Sequence, residues 1–96
     1  MPDGPHGWLS GDFVITNRRG LHARAAARFV ACAETFDAEV TVSKDQTTVG
    51  ATSIMGLMML AAGQGHSILI EVDGKQAKEA IEALVALVED GFGEED

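Results

Sequence analysis

Basic residues are scarce in this chain. Seven lysines and arginines stand against fifteen aspartates and glutamates, a formal charge of −8 over 96 residues. General nucleic-acid binding draws on a broad basic face, and a deficit of this size argues against it. Cysteine occurs once, at Cys32, which excludes an intramolecular disulfide and a cysteine-rich zinc site. Long apolar runs are missing too. The longest uncharged apolar stretch, residues 54–65, is shorter than the about 20 residues that cross a bilayer. No early apolar run follows a basic segment, so no signal peptide is expected. What is there is 46% hydrophobic and 23% charged, an ordinary composition for a globular chain. These absences point to one small cytoplasmic domain that does not enter a membrane. At this length it buries about 60–65% of its unfolded surface.

The charges are unevenly spread. Four of the seven bases, Arg18, Arg19, Arg24 and Arg28, fall in a window without any acid. A charge of +4 there against −8 overall leaves −12 elsewhere. A basic island on an acidic protein points to a local anion site, since the global field repels anions. The plainer alternative is a solvated helix face bearing surface arginines.

Residues 1–11 carry proline, glycine and serine without periodicity and read as a flexible leader, in which Trp8 and Leu9 can dock locally. The domain proper is expected over residues 12–90. Residues 89–96 hold five acids and no base, so the end, 91–96, reads as a fraying acidic tail. Between these ends the periodicity alternates. Residues 12–16 set Phe13 and Ile15 on one face of a strand. From 23 to 36, Ala26, Phe29, Val30, Ala33 and Phe36 recur at helical spacing. Residues 38–43 alternate, Asp45-Gln46 makes a turn, and 47–51 form the returning strand of a hairpin. A short apolar helix over 53–61 ends near Gly63 and Gly65. A fourth strand spans 67–72, and an amphipathic helix spans 77–88. The order is βαββαβα. Short strands with helices of one-sided polarity give an α+β open-faced sandwich, a four-stranded antiparallel sheet covered on one face by three helices.

The segment Asn17-Arg18-Arg19-Gly20-Leu21-His22-Ala23-Arg24 is the most informative. His22 stands where loop becomes helix. Histidine is a poor N-cap compared with Ser, Thr, Asp or Asn, so its presence there asks for another reason. The free amides of a first helical turn and the positive end of the helix dipole attract anions. Arg24 can add a forked, charge-assisted contact to phosphate oxygens. A positive setting also favours neutral imidazole, the nucleophilic form, and a phosphoryl group bound through nitrogen stays labile enough to be passed on. The plain alternative is a surface histidine beside chance arginines. His6 and His66 have no carboxylate or cysteine at metal spacing and read as surface residues, so no metal or cofactor is expected. Cys32, mid-helix among alanines, reads as a small buried or half-buried thiol.

Gly20-Leu21-His22-Ala23-Arg24, followed by Phe29-Val30 and then by Thr52-Ser53-Ile54-Met55-Gly56-Leu57, closely resembles the HPr family. These are the histidine phosphocarrier proteins of the bacterial phosphoenolpyruvate-dependent phosphotransferase system. The resemblance runs from about residue 12 to 88. It implies the βαββαβα fold, phosphorylation of His22 on a ring nitrogen by Enzyme I, help from Arg24 in binding the phosphoryl group, and delivery to an EIIA-type acceptor in sugar uptake or a regulatory relay. The family usually carries proline where Ala25 stands here. Proline pre-sets φ and lacks an N–H, so alanine alters the capping and puts transfer rate and partner choice in question. That departure, with the Ser53–Leu60 stretch, looks closer to the nitrogen-related branch.

Ser53 is an ordinary N-cap candidate for the apolar helix, with no Glu at position 56 to complete a capping box. The resemblance adds a regulatory role, phosphorylation by HPr kinase. A dianion suits a helix start and repels an apolar partner approaching Ile54 and Met55. Leu57 and Leu60 suit the core, whereas Ile54, Met55 and Met58 are expected to face outward; a methionine stripe taken alone is more often core filler, but in the family this surface docks partners, and flexible methionines suit one surface that fits several. Two rivals stand beside a monomeric phosphocarrier that is not itself an enzyme. One is a regulatory protein-binding module controlled at Ser53. The other is a sensor of a small anionic ligand that uses the basic island.

Overall fold

The computed structural model describes residues 8–94. Its elements follow the expected order: β1 (Leu9–Val14), α1 (Ala23–Glu34), β2 (Glu39–Lys44), β3 (Thr47–Gly50), α2 (Ile54–Met59), β4 (Ser67–Asp73) and α3 (Ala77–Glu89). A 3-10 turn, Gly91–Gly93, follows α3. The four strands form one sheet in the order β1-β4-β2-β3, and every neighbouring pair is antiparallel.

The sheet is half-buried, as strict alternation dictates. Ile68, Ile70 and Val72 of β4 and Val40 and Val42 of β2 point into the core, and the register sets Val42 opposite Ile70 and Val40 opposite Val72. The helices cover that face. α1 contributes Ala25, Ala26, Phe29, Val30 and Ala33, and α3 contributes Ala77, Ala80, Leu84 and Val88. α3 packs on β1 and β4, and α1 lies against both α2 and α3. Lys44 pairs with Thr47, so Asp45 and Gln46 alone connect β2 to β3. Asp45 takes the turn with φ 57, a conformation that Asp tolerates better than most residues. None of the helices is long and apolar enough to cross a membrane, among the described residues.

The differences from the sequence reading lie at element ends. α1 stops at Glu34 rather than at residue 36, because the amides of Thr35 and Phe36 turn to the carbonyls of Cys32 and Ala33, and the Thr35 hydroxyl also donates to the Cys32 carbonyl at 2.7 Å. The expected leader over 1–11 is too long at its inner end. Leu9, Ser10 and Gly11 are strand, paired with Val72, Glu71 and Ile70, because β4 is long enough to offer them ladder partners. Trp8 is half-buried, and His6 lies outside the described residues.

The tail departs further. Residues 91–94 do not fray. Gly91, Phe92 and Gly93 all take left-handed φ, at 62, 59 and 73, and reverse the chain so that the Phe92 ring is fully buried (0% exposed). Two of the three left-handed positions are glycine, where that conformation carries no Cβ penalty. At Phe92 it costs about 1–3 kcal/mol. Burial of an aromatic side chain contributes about 1.5–3 kcal/mol, enough to offset the strain. Phe92→Ala is therefore expected to destabilise the fold by about 3–5 kcal/mol in urea titration, the range for a buried aromatic. A shift below about 0.5 kcal/mol, the effect of an ordinary surface change, would mean that the ring is not held.

Candidate functional site

The site is assembled where the loop after β1 runs into α1. His22 is the N-cap of α1, with extended φ −76 and ψ 178, and its carbonyl accepts the first helical bond from the Ala26 amide at 2.8 Å. The amides of Ala23, Arg24 and Ala25 precede that first bond and have no acceptor within the helix. No acid lies in the first turn, and the His22 side chain makes no capping bond. The helix start is thus left open on its positive end.

Two anchors fix the loop that presents His22. Asn17 is buried and donates from Nδ2 to the Gly20 carbonyl at 2.8 Å. Leu21, also buried, donates its amide to the Ala62 carbonyl at 2.9 Å, which ties the loop to the segment following α2. Gly20 sits between these anchors with φ 66, and a Cβ there would come within 2.8 Å of the Gly63 Cα. Only glycine meets both the conformation and the close approach.

The returning turn after α3 completes the arrangement. Glu94 places Oε2 in hydrogen-bonding contact with His22 Nε2, and its Oε1 accepts from Asn17 Nδ2 at 2.9 Å. The His22 side chain is 24% exposed and that of Glu94 11%. Arg28 donates from Nη1 to the Phe92 carbonyl, a clamp from α1 onto the same turn. Asn17 Oδ1 is buried without a partner among the described residues, yet the amide orientation is determined, since a flipped amide would aim its oxygen at two acceptors. The Glu94 carboxyl is held below its ordinary value of 4.5, first by the Asn17 bond and then by His22 and the charge of Arg19, against an opposing effect of burial.

Arg24 is exposed on the first turn, with no hydrogen bond or ion pair among the described residues. Arg18, Arg19 and Arg28 are exposed around it. The expected basic island is therefore a surface feature gathered at the start of α1. Ala25, where the resemblance expects proline, is fully buried.

Ser53 is the N-cap of α2, and its hydroxyl accepts from the Gly56 amide at 2.9 Å. Leu57 and Leu60 are buried, whereas Ile54, Met55, Met58 and Met59 are 41%, 71%, 41% and 75% exposed. Met59 belongs to this apolar surface although the sequence did not single it out. Cys32 is half-buried, and burial pushes its thiol pKa up. His66 is exposed, and its Nδ1 accepts from the Gly63 amide at 2.9 Å, closing a turn. No cluster of residues able to hold a metal ion occurs among the described residues. Two contributors escaped the sequence reading, Asn17 in the loop and Glu94 in the supposed tail. The one signal for Glu94 was an aromatic flanked by glycines inside an acidic run, Gly91-Phe92-Gly93.

Comparisons with known proteins point to one family and one fold. A sequence-family model described as PTS HPr component phosphorylation site matches residues 9–90. The phosphocarrier protein HPr of Cupriavidus necator is 46% identical over 86 residues, 90% of this chain and 97% of that protein. That of Neisseria meningitidis is 49% identical over the same length and the same shares. The crystal structure of HPr-C-His from Thermoanaerobacter tengcongensis superposes with a TM-score of 0.87 at 44% identity, covering 92% of this chain and 99% of that one.

The lowered Glu94 pKa has a consequence for stability. A carboxyl depressed in the folded state contributes stability above its unfolded value and loses it as pH falls through the folded value. Glu94→Gln keeps the shape and removes the charge. Wild type is expected to melt higher than Glu94→Gln at neutral pH, with the difference shrinking only once thermal melts are taken below the ordinary carboxyl value of 4.5. A difference that is constant with pH would contradict the charged contact.

Proposed function

The chain belongs to the HPr family of the phosphotransferase system, and from that premise we propose that it accepts a phosphoryl group on His22 from Enzyme I and passes it to an EIIA-type acceptor. HPr proteins are phosphocarriers rather than catalysts, and this chain is a phosphocarrier of that system. The observation that carries the assignment to His22 is the open helix start. A histidine stands at the N-cap without capping, and an exposed arginine two residues on has no hydrogen bond or ion pair among the described residues.

The chemistry fits those parts. A lone pair on a ring nitrogen of His22 attacks phosphorus, the N–P bond forms, and the bond from phosphorus to the donor breaks with its electron pair leaving on the donor. The reverse step at the acceptor regenerates free imidazole. While the group is carried, the first-turn amides and the Arg24 guanidinium face its negative oxygens. The arginines around the start of α1 give an otherwise acidic surface a local attraction for the anionic donor group.

The apolar surface of α2 suits docking. Ile54, Met55 and Met58 are exposed, and Met59 extends the patch. The Leu21–Ala62 bond sets the end of this helix beside the loop that carries His22, so a partner seated on α2 is close to the transferred group. Ser53 opens the same helix, and its hydroxyl already occupies the cap. Phosphorylation there by an HPr kinase would keep a favourable anion at the helix start and add a dianion beside the apolar patch, weakening docking while the fold survives.

Incubation with phosphoenolpyruvate and Enzyme I, followed by intact mass with and without mild acid, is expected to reveal one acid-labile phosphoryl group that is absent in His22→Ala. No uptake from a cognate Enzyme I would remove the carrier reading. Met55→Glu is expected to slow transfer at least tenfold, with far-UV circular dichroism and melting temperature nearly unchanged. A collapse of the fold would show instead that Met55 belongs to the core.

A further inference from the structure

Beyond the phosphocarrier reading, on which this inference rests, the turn after α3 bears directly on the reacting histidine. We infer that Glu94 is a positioning residue for phosphoryl transfer: it holds the proton on His22 Nε2, opposite the reacting nitrogen, and balances the charge that the ring acquires.

A carboxylate oxygen can only accept, so the contact between Glu94 Oε2 and Nε2 requires the ring proton to be on Nε2. In the neutral ring Nδ1 is then the nitrogen with the lone pair. Nδ1 has no hydrogen-bond partner among the described residues and makes no capping contact. One ring nitrogen is engaged and the other is open, which is the division of labour in a dyad where a carboxylate orients a histidine.

The position of Nδ1 fits the anion site. Nδ1 is bonded to Cγ just as the side-chain oxygen of an Asp or Asn N-cap is. Such an oxygen reaches the amides of the second and third helical residues. Here those residues are Arg24 and Ala25. A phosphoryl group on Nδ1 extends in that same direction, toward the open amides and the first-turn arginine.

In the transfer step the Nδ1–P bond forms, the bond from phosphorus to the donor breaks with its electron pair leaving on the donor, and the proton on Nε2 stays in place. The phosphorylated ring therefore carries a positive charge, and Glu94 lies against it. On departure of the group to the acceptor, the Nδ1–P pair returns to the ring and neutral imidazole is restored. No proton changes place in either direction. Glu94 lies on the Nε2 side of the ring, away from the incoming phosphate.

Several independent contacts aim this carboxylate. Asn17 holds the second carboxylate oxygen at 2.9 Å, and the same Asn17 amide fixes the loop before His22 at 2.8 Å. Arg28 on α1 grips the Phe92 carbonyl, and the buried Phe92 ring anchors the turn. Residue 94 lies beyond the 9–90 span that the family model matches, so this carboxylate is no part of the motif that identified the family.

The test joins a spectrum to a rate. In protein labelled with nitrogen-15 on histidine, the His22 Nε2–H of the wild type is expected as an exchange-protected, downfield proton resonance. Glu94→Ala should lose it, and Glu94→Gln, whose amide oxygen can still accept, should retain it. Phosphoryl acceptance from Enzyme I should fall about ten- to a hundredfold in kcat for Glu94→Ala, with KM for the carrier nearly unchanged, the loss of a hydrogen bond to a charged group. Glu94→Gln should recover part of that rate. Wild-type kcat in folded Glu94→Ala, or an unchanged Nε2–H resonance in that variant, would overturn the inference while the carrier reading stood. Absence of any label on His22 in the wild type would instead overturn the carrier reading itself.

Discussion

One buried face of one sheet organises this molecule. The inward row of β4 and β2 (Ile68, Ile70, Val72, Val40 and Val42) cannot be left in water, and only the apolar stripes of α1 and α3 are broad enough to cover it. The packing of Phe29, Val30 and Ala33 settles where the α1 axis lies and therefore where its first turn opens. His22 is at the surface because the core demand on α1 starts only at Ala25, three residues into the helical region. The candidate site is a by-product of that covering, placed between buried Leu21 and buried Ala25 at the N-terminal end of α1.

Around that end the structure concentrates polar order. Asn17 is the sole buried polar residue among those described, and it links three things at once: its own loop through Gly20, the returning turn through Glu94, and thereby His22. Buried polar groups of this kind specify geometry more than they stabilise, because their hydrogen bonds largely replace bonds to water. Leu21 adds the apolar half of the same anchor. The loop before the histidine is thus held from both sides, while Arg24 and the methionines of α2 are left exposed. For the proposed carrier, that contrast would pair a fixed histidine with a rim that adapts to more than one partner.

Much of this was legible in residue order. The strands declared themselves by alternation, α3 by its stripe, and the hairpin by two residues between apolar runs. His22 stood out as an unfavourable cap beside a glycine and an arginine, and Ser53 as a favourable one. Leu57 and Leu60 were read inward from helical spacing, whereas the outward Ile54, Met55 and Met58 needed the family resemblance, because a methionine stripe taken alone is more often core filler. Boundaries were less legible, because they depend on neighbours: Leu9 and Ser10 are strand only because β4 continues far enough to pair with them, and Phe36 leaves α1 because the last amides bond three residues back instead of four.

The sequence by itself determined the order of elements, the face each one buries and the chemistry offered at the head of α1, since each of these is set by residues within a few positions of one another. Tertiary structure alone decided the fate of Glu94 and the role of Asn17. An acidic run after a helix is indistinguishable from a solvated tail until Phe92 finds a core to enter and the left-handed turn brings residue 94 back across 72 positions of chain to His22. Contacts closed over that separation depend on the packing of the whole domain, and the local Gly91-Phe92-Gly93 pattern marks a turn without naming its partner.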